Sequence, residues 1–225
     1  MDCRALTHEA RVAARRPRLR YAVTVRGPVC SDRLGLVLAH EHLLCDLTPE
    51  HEPFYPELAD APLSLPMLGR LRRHPATCRQ NLRLDDEALI AAELEPLVHA
   101  AAPYGGGTVV ELSGEGARLD LPGLVRLSER TGLHIIAGTG WRHPRYYPPT
   151  LAQETADSLA ARWTCHVQQG MEDGRVRAGA IGELGIEDPR DPLQTLVLRA
   201  GARLDLPGLV RLSERTGLHI IAGTG

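Results

Sequence analysis

Short apolar runs alternate along this chain with longer stretches in which apolar residues recur at helical spacing. Residues 21–26 (YAVTVR) and 34–40 (LGLVLAH) read as strands, the second of the fully buried kind, with Gly27 and Pro28 turning the chain between them. Residues 46–84 are Pro-rich and irregular, too long for an ordinary connection. Asp85 or Asp86 caps a helix running to about residue 102, with Leu89, Ile90, Leu94, Leu97 and Val98 on one face; Pro96 predicts a kink or break within it. Residues 108–112 (TVVEL) and 133–137 (LHIIA) are further strands, separated by a helix that opens at Asp120-Leu121-Pro122 and stops at Gly132. Thr150 predicts the cap of a helix over 151–169, residues 179–184 (GAIGEL) a fourth core strand, and 192–200 the start of another helix. Strand then helix, repeated, means parallel strands with crossover helices, an α/β fold. Four such units and a copied fifth fit the N-terminal half of a (β/α)8 TIM barrel better than a complete doubly wound sheet, although periodicity alone does not decide between them.

That fifth unit is unusual. Residues 116–140 recur letter for letter as 201–225. Natural repeats drift while keeping their pattern, so an identical copy points to a recent event in the DNA or an error in its assembly. The competing reading is a genuine tandem unit. The expected organisation is therefore a disordered Arg-rich tail over 1–20, half of a barrel over 21–200, and a copied segment over 201–225.

Composition narrows the chemistry. The formal net charge of -2 gives no extended basic surface for nucleic acid or an anionic membrane, and no apolar run is long enough to span a bilayer. Every residue in the Lys/Arg class is Arg, which excludes a Schiff-base or P-loop Lys and a carboxylated Lys as a metal bridge. The 5 Cys are scattered without a C-x-x-C pair, as expected of free thiols in a reducing, cytoplasmic setting. Cys45, close to the candidate site below, reads as a buried small hydrophobe.

His40, Glu41 and His42 stand at the end of the first apolar strand. Residues two apart on a strand share a face, so both imidazoles can reach one ion while Glu41 points the other way. Neutral imidazole is the usual nitrogen ligand of zinc and its neighbours. Glu183 ends the 179–184 run between glycines and apolar residues, and is the second candidate ligand. Glu111, at the end of the 108–112 strand, is a candidate partner for a histidine. Trp141, Tyr146 and Tyr147 cluster after the third core strand, where they could wall a substrate pocket or simply pack the loop. His143 lies on a Pro-flanked loop beyond its strand, and His51, His74, His99, His134 and His166 lack ligand spacing.

These motifs, in this order, resemble the phosphotriesterase family of the amidohydrolase superfamily. The resemblance is carried by V-R-G-P at 25–28, H-E-H at 40–42, G-G-G-T-V-V-E at 105–111, T-G-L at 131–133 with G-T-G-W at 138–141, Y-Y-P at 146–148 and G-A-I-G-E-L-G at 179–185. The last motif is similar to the branch that uses Glu instead of carboxylated Lys as the bridging ligand. The resemblance implies a β/α barrel with a binuclear metal centre, in which His40 and His42 bind one ion, Glu183 bridges to a second, and a metal-bound hydroxide attacks a phosphotriester, lactone or carboxylic ester. The family draws further ligands from its fifth, sixth and eighth strands. The copied residues 218–223 bring no terminal His to the fifth position, and nothing corresponds to strands six to eight, so at most one weak site for a divalent metal, with zinc the expected ion, is implied in this chain.

The reading is a metal-dependent hydrolase of small ester or lactone substrates. The alternative is an inactive truncated fragment or pseudoenzyme, self-associating through exposed barrel edges. A metal-dependent deoxyribonuclease also opens with H-x-H, but the neutral charge argues against it.

Overall fold

The computed structural model describes residues 20–172, 174–204, 218–219 and 221–222. The expected tail over 1–20 falls almost wholly outside the described residues, as does the helix expected within the copied segment. The chain enters through a hairpin, β1 (Tyr21–Thr24) with antiparallel β2 (Gly27–Cys30). Val25 and Arg26 make its turn, so Gly27 and Pro28 belong to the second strand, contrary to the sequence expectation. Next come β3 (Leu36–Glu41), the insertion, β6 (Gly107–Glu111), β7 (His134–Thr139) and β8 (Ala180–Ile181). The insertion is closed by a short antiparallel pair, β4 (Cys45–Asp46) and β5 (Arg83–Leu84), and holds one helical turn, α1 (Leu68–Leu71), over a small core of Leu58, Met67, Leu71 and Cys78.

The main sheet is parallel, in the order β10-β8-β7-β6-β3, where β10 is Ile221–Ala222; β9 (Leu218–His219) pairs with β1. Helices α2 (Glu87–Ala101), α3 (Leu121–Thr131), α4 (Ala156–Gln168) and α5 (Pro192–Arg203) follow β5, β6, β7 and β8. This is the alternating α/β pattern predicted for part of a barrel.

Alternation along the strands sorts side chains to two faces. Val109 and Ile135 join Leu124, Leu127, Leu159 and Trp163 in the large core between sheet and helices. Their neighbours Val110 and Ile136 join Ala22, Leu112 and Ala180 on the opposite face. Each fully buried leucine of this kind stabilises the fold by roughly 2 kcal/mol.

Local chemistry sets the helix ends. Asp86 accepts from Leu89 N at 2.9 Å and Asp120 from Gly123 N at 2.9 Å, while Gly132 closes α3 at φ 75, a left-handed cap that costs glycine little. The helix expected over 151–169 is instead a 3-10 turn, Pro149–Gln153, followed by α4. Thr155, not Thr150, is the cap: its hydroxyl accepts from Ser158 N and the Ser158 hydroxyl accepts from Thr155 N, a reciprocal capping box that Thr150 lacks. Nor does Pro96 break α2, which runs on to Ala101. Pro96 and Ala92, whose carbonyl loses its donor, are both exposed, so water can satisfy that carbonyl. The strand expected to be fully buried, β3, alternates between half-buried and exposed positions, with Val37 40% exposed, because among the described residues it has a sheet neighbour on one side only.

Candidate metal centre

Backbone hydrogen bonds across the ends of β3, β6 and β8 bring the candidate ligands together. Leu112 N donates to Glu41 O at 3.0 Å, and Glu183 N donates to Leu112 O at 3.3 Å. Ladder pairing in β8 stops at Ile181, short of the expected 179–184 strand; Gly182 N still reaches Thr139 O, and the chain then folds over the strand ends to Leu112. Residue 183 is thus drawn toward residue 42 instead of continuing along the sheet.

His40 Nε2 lies 3.0 Å from Glu183 Oε2, and His42 Nε2 lies 3.9 Å from the same oxygen. One donor atom from each of the three residues falls within 4.8 Å of the others. Ligands at tetrahedral zinc distances stand roughly 3.4 Å apart, from bond lengths near 2.1 Å, so the measured separations bracket what a divalent ion requires. The tautomer fits as well. His42 Nδ1 is 3.1 Å from Ser113 Oγ, and as a donor to that hydroxyl it leaves the Nε2 lone pair facing Glu183. Burial, reinforced by the Arg142 charge, lowers the pKa of His42 to about 4, so its imidazole is neutral at physiological pH, the form that binds metal.

Glu111 braces this arrangement from beneath. Its Oε1 accepts from Ser113 N at 3.0 Å and Leu43 N at 3.4 Å. The carboxyl is fully buried and its pKa is raised to about 7, chiefly by desolvation. The sequence reading offered Glu111 as a candidate partner for a histidine, with a solvated or arginine-paired carboxylate as the default; here it is fully buried and acts on the backbone at Ser113, whose hydroxyl meets His42. Cys45 is buried as expected, with its thiol pushed up to about 12 by desolvation, so it stays protonated.

Of the two readings offered for the loop after β7, packing describes Trp141 and Tyr146. Trp141 is 2% exposed and packs edge-on against Trp163 and Tyr147, so its ring belongs to the core. Tyr146 is buried, and its hydroxyl donates to Glu50 Oε1 at 2.6 Å. Tyr147 is half-buried; desolvation raises its pKa to about 12, and its hydroxyl has no hydrogen-bond partner among the described residues. His143 pairs with Glu187 at 2.8 Å, apart from the triad, and His166 Nδ1 meets the Thr139 hydroxyl at 2.7 Å.

Sequence reasoning missed Ser113, Arg142 and Glu50. Arg142 Nε stands 3.5 Å from Glu183 Oε2, and Arg142 Nη1 also ion-pairs with Glu50. Ser113 could have been suspected from its place two residues beyond Glu111. Glu50 lies in the irregular insertion, where no local pattern marks it.

Comparison with known proteins follows the same lines. The profile of the Phosphotriesterase family matches residues 21–206. The chain is 35% identical over 182 residues to an N-acetyltaurine hydrolase of Tetraodon nigroviridis, a match that spans 80% of this chain and 51% of the relative. It is 31% identical over 187 residues to a phosphotriesterase-related protein of Drosophila ananassae, spanning 80% and 53%. Among solved structures, a resiniferatoxin-binding protein from Rhodobacter sphaeroides superposes with a TM-score of 0.75 at 31% identity, covering 91% of this chain and 55% of that one. The phosphotriesterase homology protein of Escherichia coli, solved with phosphate in its active site, shares the fold at a TM-score of 0.56 and 22% identity. The chain thus spans about half the length of the relatives it matches. With its motifs in order, its sheet and helices in the same arrangement and the profile match running from β1 through α5, the chain belongs to the phosphotriesterase family.

Proposed function

We propose that this chain carries the N-terminal part of a divalent-metal-dependent hydrolase acting on small acyl or phosphoryl compounds, with 21–200 as its barrel segment. The observation that supports it is the convergence of His40, His42 and Glu183 within 4.8 Å at the ends of parallel strands, the place where barrel active sites are built. An ion held there supplies Lewis acidity for the scissile group and lowers the pKa of water toward neutrality. In this reading His40 and His42 are nitrogen ligands, Ser113 and Glu111 fix the orientation of His42, and Glu183 has both the ligand and the catalytic role. Zinc is the proposed ion, because two imidazoles and a carboxylate are its common donor set. The scissile bond is an ester, lactone, phosphotriester or amide; the last enters because similar proteins are named for hydrolysing N-acetyltaurine, an amide. Tyr147 is the aromatic residue proposed to border the substrate, with Trp141 and Tyr146 supporting it from the core. No described helix is long and apolar enough to cross a membrane, in keeping with a small-molecule substrate taken from solution.

The test is metal content and turnover on one sample. The purified chain, titrated with zinc at equilibrium, should bind about one ion per chain and hydrolyse a member of a panel of aryl ester, lactone, phosphotriester and N-acetyl amide. His40→Ala with His42→Ala should lose both. Unchanged metal content in the double variant would sink the assigned site.

A further inference from the structure

A cavity of about 300 Å³ lies among the β6–α3 connection, α4 and the turn after it, and its lining includes neither the triad nor Ser113 and Arg142. That volume stands at the lower end of the range for small-molecule sites, roughly 300–1,000 Å³. Leu119, Leu121 and Met171 give it apolar walls, and Glu115, His166 and Glu172 are among its polar groups.

Thr139 joins two of these groups. Its Oγ1 is 2.7 Å from His166 Nδ1 and 3.4 Å from Glu115 Oε1. This is not a nucleophile relay, because Thr139 is fully buried and the imidazole meets both the hydroxyl and the carboxylate through Nδ1. It fixes proton positions instead. A carboxylate only accepts, so His166 Nδ1–H donates to the Thr139 hydroxyl, which donates to Oε1; reversed, an Nδ1 lone pair would stand 3.8 Å from the carboxylate. Nε2 is left with a lone pair and no hydrogen-bond partner among the described residues. Burial lowers the His166 pKa, which keeps that nitrogen unprotonated at neutral pH. Glu115 Oε1 also accepts from Trp163 Nε1 at 2.7 Å, whereas Oε2 accepts no hydrogen bond among the described residues; its neighbour Arg162, 3.8 Å away, pairs more closely with Glu154. Two held acceptors, Oε2 and Nε2, thus belong to residues of one cavity. Charge points the same way: Glu115 and the exposed Glu172 outnumber Arg118 in the lining, and Arg118 already faces Asp46.

We infer that this cavity binds a small primary ammonium compound, with its charged nitrogen on Glu115 Oε2 and His166 Nε2 and its apolar body against Leu119, Leu121 and Met171. A primary ammonium carries three N–H donors and no acceptor, the complement of the two acceptors waiting there. Glu172 adds attraction from the exposed side. The site is separate from the metal centre, and the inference does not rest on the hydrolase reading.

The probes are benzylammonium and benzyl alcohol, alike in size and different in charge. Binding of each to the full chain, equilibrated with zinc near neutral pH, is measured by calorimetry. The ammonium should bind at least about tenfold more tightly than the alcohol. Glu115→Gln keeps an oxygen for Trp163 but removes the charge, and should lose that preference. Glu172→Gln, a change at an exposed position, should lower ammonium affinity about two- to fivefold. His40→Ala with His42→Ala should bind the ammonium as the native chain does, since neither residue lines the cavity. Three results would overturn the inference: equal or absent binding of the two probes by the native chain, an undiminished preference in folded Glu115→Gln, or loss of ammonium binding in the histidine double variant, which would place the amine at the triad. If Glu115→Gln fails to fold, Glu172→Gln decides, and unchanged affinity there counts against the site. Failure of the native chain to bind zinc would refute the hydrolase reading alone.

Discussion

Replacing Glu111 by Gln should change how stability depends on pH more than it changes stability itself. The carboxyl is fully buried, with Oε1 satisfied by two backbone N–H groups and Oε2 without a partner among the described residues. Its folded pKa of about 7 lies above the ordinary 4.5. The folded protein therefore holds this proton where the unfolded chain releases it. The resulting stabilisation is complete below pH 4.5 and is lost as the pH rises through 7. At 1.36 kcal/mol per pH unit the window is worth about 3 kcal/mol. His42 has the opposite sign: its folded pKa of about 4 lies below the ordinary 6.5, so its contribution is present above 6.5 and lost as pH falls through 4. In the native, metal-free chain the two largely offset each other between pH 5 and 6.5. Gln cannot titrate, so Glu111→Gln should expose the His42 slope, with stability rising by a few kcal/mol from pH 5 to 7. Its amide NH2 inherits the unpartnered Oε2 position, a pH-independent penalty of about 1–3 kcal/mol. Urea titrations of chelator-treated protein at pH 5, 6, 7 and 8 measure both effects. Native and variant curves running parallel would refute the argument, since they would mean that Glu111 ionises alike in folded and unfolded chains.

Ser113→Ala removes the group that orients His42 and should weaken zinc binding by about 10- to 100-fold with little loss of fold, read by competition with a chromophoric chelator. Gly35 sits at φ +64 with the Gly106 carbonyl where a Cβ would go; Gly35→Ala should cost about 3 kcal/mol or more, and a fall in melting temperature under 2 °C would show that β3 and the Gly106 turn are not packed as described.

The sequence revealed the parts governed by short-range rules. Asp86 and Asp120 as caps, Gly132 as a stop and the existence of β6 and β7 as strands were all legible, because each depends on neighbours within a few residues. Pro96 misled because its cost depends on whether the freed Ala92 carbonyl meets water, which is a tertiary fact. Thr150 misled because a capping box competed five residues on. His40, His42 and Glu183 could be nominated from strand ends, but their approach to one another depends on β8 leaving its ladder after Ile181. Arg142 and Glu50 were invisible as a pair, being 92 residues apart in sequence and joined only by the fold.

The two backbone hydrogen bonds that link Glu41, Leu112 and Glu183 carry a consequence for measurement. Opening either one separates a carboxylate from the imidazoles it must join, so the Leu112 and Glu183 amides exchange with solvent when the ligand set comes apart. Their deuterium uptake is a direct clock for that opening, readable with no substrate in hand. Zinc that holds the three side chains together must slow both amides by the same factor, which gives the coupling free energy between backbone closure and metal capture from a single pair of exchange rates.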